Sequence, residues 1–364
     1  MPKLIHAADF HLDSAFGGLP PEKARERRRE SRELIDRLVD LVRAEGAEVV
    51  LLAGDLFDGQ RVYPETLERL KAALAAMACP VFIAPGNHDP FTPHSPYAAP
   101  GWPENVHIFR REAVEAVLLP DLDCVVCGAA FTSPRRTDPP LAGLDLPRDG
   151  RTYLLCLHGD VGNPGSEYAP ILQEHLASSG AHYAALGHVH QCSGLQQDGG
   201  TAWAYSGCPE GRGFDELGDK GVLAGTADPD GVYMTFVPLC RRRYRILEAD
   251  VTDISPDEAL AAVMPPTAAQ DVCRIIFTGE AEASQIDLPA LESACRDRFY
   301  ALELRDRTRP AQSLWARAEE DTLRGLFLRE LRARYDAASD EAAREQIALA
   351  VRFGLAALDG RDLG

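Results

Sequence analysis

Five short stretches of this sequence place carboxylate, imidazole or amide side chains where an apolar run stops. Asp9-Phe10-His11 follows "LIHAA", Gly54-Asp55 follows "VVLLA", and Gly86-Asn87-His88-Asp89 follows "PVFIAP". His158 closes "YLLCLH", and Gly187-His188-Val189-His190 closes "YAALG". Each has a bland explanation alone, because Asp and Gly end many strands and a lone His is usually core or surface. Five in one chain form a pattern. The donors so gathered are Asp9, His11, Asp55, Asn87, His88, His158, His188 and His190. Mixed imidazole and oxygen ligation suits Mn²⁺, Fe²⁺ or Zn²⁺. Asp-x-His and His-x-His turn two donors to the same side of an extended segment. One carboxylate, with two lone-pair directions, can bridge two cations about 4 Å apart, as in two-metal hydrolytic sites. His6, His94, His107, His175 and His182 lack this context and read as structural.

Those donors need elements that bring them together. Apolar runs predict strands at 3–8, 48–53, 80–85, 123–129, 152–157, 182–187, 202–206 and 221–226. Amphipathic spacing predicts helices over 22–45, 64–77 and 167–178. Strands alternating with helices argue for an α/β layered fold. In an open α/β sheet the carboxyl ends of the strands share one crevice, which is where the five stretches would meet. After residue 245 the character changes. Ser255-Pro256-Asp257-Glu258 has the form of a capping box, and a strand, a helix and a strand follow. The reading is a core domain at 1–245, a small α+β domain at 246–310 and a helical tail at 311–364.

Composition narrows the classes. The net charge of −18 argues against a protein that simply coats nucleic acid, which needs a basic face. A nuclease survives that test, because bound cations supply positive charge locally. Nine cysteines form no disulfide framework, and Cys124-x-x-Cys127 sits in a strand-like run where the two thiols face opposite sides. Buried thiols in a reducing cytoplasm are expected. No apolar run approaches the roughly 20 residues of a membrane span, and Met1-Pro2-Lys3 leads directly into the first strand, so neither membrane nor leader is expected.

Taken in order, "DFH", "GDLFD", "GNHD", "LHGD" and "GHVH" resemble the signature of the calcineurin-like metallophosphoesterases, over about residues 1–225. The resemblance implies a two-sheet α/β sandwich carrying a dinuclear site. Asp9, His11 and His190 would hold one metal, Asn87, His158 and His188 the other, and Asp55 would bridge. His88 would stand near the scissile phosphate without ligating; Asp89, directly after it, either orients His88 or caps the turn. The stretch Tyr205–Leu223 resembles the Tyr-x-Gly-x-Pro…Glu-x-Gly-x-Lys-Gly of SbcD-like nucleases. "HLDS" at 11–14 is nearer the YhaO type of DNA repair exonuclease than the His-Leu-Gly usual in SbcD.

That branch implies a Mn²⁺-dependent DNA exonuclease or endonuclease. Its second domain would cap the DNA cleft, and its tail would dock on a coiled-coil ATPase of the SbcC or YhaN kind. It also implies a homodimer through the helices at 22–45 and 64–77, and makes Arg212 a substrate contact. Arg25, Arg28, Arg29 and Arg32 share a helix stripe that either meets phosphate or pairs with the interleaved acids, and the basic run Arg241–Arg245 either reaches phosphate or marks a polar boundary between domains. The alternative keeps the metal site and makes the substrate a small nucleotide or other small phosphoester.

Overall fold

A short run that is apolar on both faces needs cover on both sides. Strand β1 (Lys3–Ala7) and β2 (Val49–Leu52) are such runs. Ile5, Ala7, Val50 and Leu52 enter one core, while Leu4, Val49 and Leu51 enter another, as the two-residue period of a strand requires. The computed structural model describes residues 1–281, 286–310, 315 and 317–358. Positions 311–314, 316 and 359–364 of the predicted tail lie outside the described residues.

The chain divides into two compact units, Met1–Ile246 with Ala269–Val272, and Leu247–Ala268 with Cys273–Gly364. In the first unit β1 is followed by α1 (Pro21–Glu45), β2, α2 (Pro64–Ala75), β3 (Val81–Ile83) and β4 (Val106–Ile108). Next come β5 (Glu115–Leu119), β6 (Cys124–Gly128), β7 (Thr152–His158), α3 (Gln173–Ser178) and β8 (Tyr183–Gly187). The unit's later strands are β9 (Gln196–Asp198), β10 (Thr201–Tyr205), β11 (Gly221–Asp228) and β12 (Gly231–Pro238). One six-stranded sheet runs β12-β11-β1-β2-β3-β4, and the other runs β5-β6-β7-β8-β10-β9. Strands β1 to β4 are mutually parallel, as are β6, β7, β8 and β10.

The sheets face each other over a shared core in which Leu4, Leu51 and Phe82 meet Val126, Leu154 and Tyr183. Helices α1 and α2 cover the outer face of the first sheet through Leu34, Leu38, Leu70 and Leu74. This is the expected two-sheet α/β sandwich. Cys124 lies in the core between the sheets and Cys127 in the core on the second sheet's outer face, so the paired thiols do face opposite ways. All nine cysteines are free, and burial pushes the Cys124 and Cys127 thiols up to about 12.

One helix falls short of expectation. The predicted helix over 167–178 begins only at Gln173, because Pro170 interrupts it and Ala169 takes a positive φ of 49°. Tyr168 and Ile171 instead form isolated bridges to Arg136 and Val161.

The second unit is built on a sheet of β13 (Tyr244–Asp250), β14 (Val272–Thr278) and β16 (Ala301–Asp306), while β15 (Glu280–Ala281) pairs separately with β17 (Arg309–Pro310). The first three residues of β13, Tyr244 to Ile246, belong to the first unit. Helices α4 (Pro256–Val263) and α5 (Leu288–Cys295) supply Leu260 and Leu291 to its core beside Ile275 and Phe277. The capping box forms as the sequence suggests: Ser255 Oγ accepts from Glu258 N–H at 3.2 Å, and Glu258 Oε2 accepts from Ser255 N–H at 2.9 Å. Helices α6 (Leu323–Ala337) and α7 (Glu341–Leu358) pack through Leu328 and Val351. Among the described residues, no helix is long and apolar enough to cross a membrane.

Candidate metal centre

The chain does not stay extended after β1. Asp9, His11 and Asp13 take positive φ of 56°, 44° and 68°, and Asp55 after β2 does so at 50°. Such backbone persists only where the surroundings hold it. A ladder between the two loops does this. Asp9 N–H donates to Gly54 O at 3.0 Å, His11 N–H to Asp55 O at 2.9 Å, and Leu12 N–H to Leu56 O at 2.8 Å. The Asp-x-His pair therefore converges through left-handed turns, not through the alternation of a strand. Asp13 anchors the far end, accepting from Thr66 Oγ1 at 2.8 Å, Tyr63 N–H at 3.0 Å and Arg32 Nη2 at 3.1 Å. From the other sheet, His188 takes a φ of 111° and donates its N–H to both Asp9 oxygens, at 3.1 and 3.2 Å. A Cβ on Gly86 would lie 2.1 Å from Asp55 Oδ1, so only glycine allows that approach.

The predicted donors meet in one crevice, in two groups around Asp55, with Asp9 within reach of His158 as well as of His11 and His190. In one half His11 Nε2 and His190 Nε2 face each other across 3.2 Å, grouped with an Asp9 oxygen. In the other, His158 Nε2 lies 2.9 Å from Asn87 Oδ1, and the His188 ring packs edge-on at 5.3 Å between centroids. Asp55 borders both, with Oδ2 3.7 Å from His11 Nε2 and 3.4 Å from His158 Nε2. Its Oδ1 accepts the His88 N–H at 2.9 Å. The His88 ring is exposed and stands edge-on to His11 at 4.7 Å.

The ring partners decide where the protons sit. His11 Nδ1 is 3.1 Å from Asp58 Oδ1, and His190 Nδ1 is 2.7 Å from Glu216 Oε1. An ionised carboxylate only accepts, so His11 Nδ1 carries the proton and its Nε2 presents a lone pair, while His190 Nδ1 meets both Glu216 Oε1 and, at 3.1 Å, Arg212 Nη2. His158 Nδ1 likewise donates to Ala53 O at 3.0 Å, freeing its Nε2. The two Nε2 atoms, 3.2 Å apart, are close enough for one cation to take both rings as ligands. Burial pushes the His11 ring down to about 4 despite its Asp58 bond, and burial beside His158 pushes His188 to about 4, so both rings stay neutral at neutral pH. Burial and then the charge of Asp55 hold the Asp9 carboxyl well above its ordinary range. Burial would also raise Glu216 and Asp58. Bonds from His190 and Arg212 outweigh it at Glu216, and the His11 bond does so at Asp58, leaving both lowered. Converging acceptors of mixed oxygen and imidazole type fit divalent cations.

Residues 2–192 match the profile of the calcineurin-like phosphoesterases. The chain belongs to that family. That family is one of metallophosphoesterases, which use a dinuclear metal site. It is 32% identical over 236 residues to the uncharacterized metallophosphoesterase YhaO of Bacillus subtilis, covering 60% of this chain and 55% of that one. It is 26% identical over 270 residues to the DNA double-strand break repair protein Mre11 of Aeropyrum pernix, covering 70% and 64%. Against the SbcD component of the nuclease SbcCD of Rhodobacter capsulatus it is 31% identical over 151 residues, covering 40% and 30%. The chain thus spans from under a third to under two thirds of the length of these relatives.

Elsewhere in this phosphoesterase the remaining site residues have definite partners. The buried Asp89 carboxylate accepts from Gly86 N–H at 2.8 Å, Phe57 N–H at 3.0 Å and Tyr97 O–H at 2.5 Å, not from the His88 ring. It braces the loop after β3 against the loop after β2, and burial with the nearby Asp55 charge pushes it up to about 7. Arg212 donates through Nη2 to Glu216 Oε1 at 2.8 Å and through Nη1 to Asp58 Oδ1 at 3.4 Å. In the arginine stripe Arg32 pairs with Asp13 and Glu65, and Arg29 with Glu33. Arg242 pairs with Glu30, while Arg243 and Arg245 pair with Asp271. Three neighbours of the centre carry no sequence expectation of a role: Asp58, Glu216 and Tyr168. Asp58 sits inside "GDLFD" and Glu216 inside "FDELGDK", yet they lie 47 and 26 residues from the rings they hold, so only the fold discloses the pairing.

Proposed function

We propose that this phosphoesterase is a Mn²⁺-dependent DNA exonuclease or endonuclease of DNA repair. One cation would be held by Asp9, His11 and His190, the other by Asn87, His158 and His188, with Asp55 between them. The observation that carries the metal reading is the convergence of His11 Nε2, His190 Nε2 and an Asp9 oxygen, with the two ring nitrogens 3.2 Å apart. Relatives named as a double-strand break repair protein and a nuclease component support DNA as substrate. Tyr168 adds to this: its ring lies 5.1 Å from His188 and is 36% exposed, where a base could stack.

Held by these residues, divalent cations would supply an acidified water near neutral pH and positive charge for the phosphoryl oxygens. The protein's own part is positioning. The ladder between the loops after β1 and β2 fixes Asp9, His11 and Asp55 before substrate arrives, which lowers the reorganisation needed in the transition state. His88, held by its backbone bond to Asp55 and with an exposed ring, donates a proton to the leaving alkoxide or a hydrogen bond to a phosphoryl oxygen. Asp89 acts on His88 indirectly, by bracing the loop that carries it.

Residues 246–310 are the proposed capping domain. Exposed Leu323, Leu326, Leu349 and Phe353 on α6 and α7 suit docking on a coiled-coil ATPase of the SbcC or YhaN kind. A homodimer would use α1 and α2. A second reading, a small nucleotide or other small phosphoester as substrate, is favoured by the net charge of −18.

Purified protein with Mn²⁺ should degrade DNA ends and hydrolyse bis-p-nitrophenyl phosphate, and His88→Ala should lower both rates about 10²-fold or more. Hydrolysis of the small diester with no cleavage of DNA, with or without the ATPase, would favour the second reading.

A further inference from the structure

We infer that Asp58, Glu216 and Arg212 form one positioning unit that fixes the rings of His11 and His190 and so sets how tightly one of the two cations is held. This rests on the reading that the crevice holds two cations, and it concerns residues beyond the ligand set.

The geometry is specific. Asp58 Oδ1 takes the His11 Nδ1 proton at 3.1 Å, and Glu216 Oε1 lies 2.7 Å from His190 Nδ1. Arg212 spans the two carboxylates, reaching Glu216 Oε1 through Nη2 at 2.8 Å and Asp58 Oδ1 through Nη1 at 3.4 Å. Its backbone N–H adds a bond to Glu216 Oε2 at 2.7 Å. The guanidinium therefore stabilises both anions where each must sit, and its planar fork fixes their separation. The main chain of His190 is held as well. Buried Lys220 donates Nζ–H to His190 O at 3.0 Å, and Cys208 N–H reaches the same oxygen at 3.2 Å. A carboxylate behind an imidazole locks its tautomer and makes the other nitrogen more basic. Both effects here point at the same place, the gap between the two Nε2 atoms.

The other half has a different construction. His158 Nδ1 is held by a main-chain carbonyl, Ala53 O, which orients the ring but adds no charge. Removing Glu216 or Asp58 should therefore weaken one cation and spare the other.

Isothermal titration of the chelated full-length protein with Mn²⁺ tests this directly. Glu216→Ala and Asp58→Ala should each weaken one of two Mn²⁺ equivalents about 10- to 100-fold and leave the second unchanged. Glu216→Gln keeps an oxygen acceptor and should recover part of the loss. Arg212→Lys, which keeps charge without the fork, should weaken the same equivalent. In the electron paramagnetic resonance spectrum the coupled Mn²⁺ pair should give way to an isolated ion at low loading. Unchanged affinities in all four variants would overturn the inference. Equal weakening of both equivalents with a lowered melting temperature would do so too, because that is the mark of a merely structural role. Cation binding reads the unit whatever ester is hydrolysed, so failure to cut DNA would count against the proposed function and not against this unit.

Discussion

The two halves of the centre are built by different means. On one side His11 and His190 are held by side chains, Asp58 and Glu216, that reach them from distant segments. On the other, His158 is held by the main chain, its Nδ1 against Ala53 O at the end of β2. Main-chain support comes with the fold itself: once β2 and β7 are in their sheets, the carbonyl and the ring are in place. Side-chain support is separate from the fold and can be altered one residue at a time. Glu216 and Arg212 also lie beyond residues 2–192, the span that matches the family profile. The first half is thus the adjustable one, and the second is fixed by architecture.

Asp55 borders both halves, so its removal should have the largest effect. Asp55→Ala takes away an oxygen that lies 3.7 Å from His11 Nε2 and 3.4 Å from His158 Nε2. It also removes the acceptor for the His88 N–H. Losing several kcal/mol of charge stabilisation should lower kcat on bis-p-nitrophenyl phosphate about 10³-fold. A variant retaining more than a tenth of the activity would show that the halves work independently, and the comparison would lose its meaning.

The comparison also explains what the sequence disclosed. The gathering of the eight candidate donors in one crevice was legible because they follow apolar runs, and the carboxyl ends of parallel strands open on one crevice. An α/β layered fold was legible from the same runs, while the two-sheet sandwich followed only from the resemblance carried by the five ordered motifs. The supports were not. Asp58 and Glu216 are acids in polar loops, and nothing in their spacing ties them to a histidine 47 or 26 residues away. The convergence of Asp9 and His11 was expected for the wrong local reason, because positive φ at both replaces an extended segment. The edge strands β4, β5, β9 and β12 also carried too weak a signal. Glu115–Leu119, for example, alternates half-buried with exposed positions and has no buried face.

A smaller effect should separate the halves. Gly54 takes a φ of 92°, and a Cβ there would lie 2.4 Å from His158 Nδ1, inside the main-chain-supported half. Gly54→Ala should strain the backbone by about 1–3 kcal/mol and displace His158 from Ala53 O. The expected readouts are a lower melting temperature together with an about 10- to 100-fold weaker second Mn²⁺ equivalent. This is the complement of the Glu216→Ala result, which spares that equivalent. Weakening confined to the His11–His190 cation would reverse the assignment of supports.

Protons give the smallest effect and ask whether the halves respond alike. His11 and His188, one from each half, are both pushed down to about 4 in the folded, cation-free protein. An unfolded histidine titrates near 6.5. Between those values the unfolded chain binds more protons than the folded one, so stability rises with pH across that window. The contribution of each ring is fully present above about 6.5 and is lost as pH falls through about 4, and it amounts to about 3 kcal/mol per ring. Urea unfolding of the chelated protein should therefore show lower stability at about pH 4.5 than near pH 7. His11→Gln and His188→Gln should each remove a similar part of that difference. If only the His11 variant flattens the dependence, burial differs between the halves as well as support, and the architecture of the second half leaves His188 open to solvent protons.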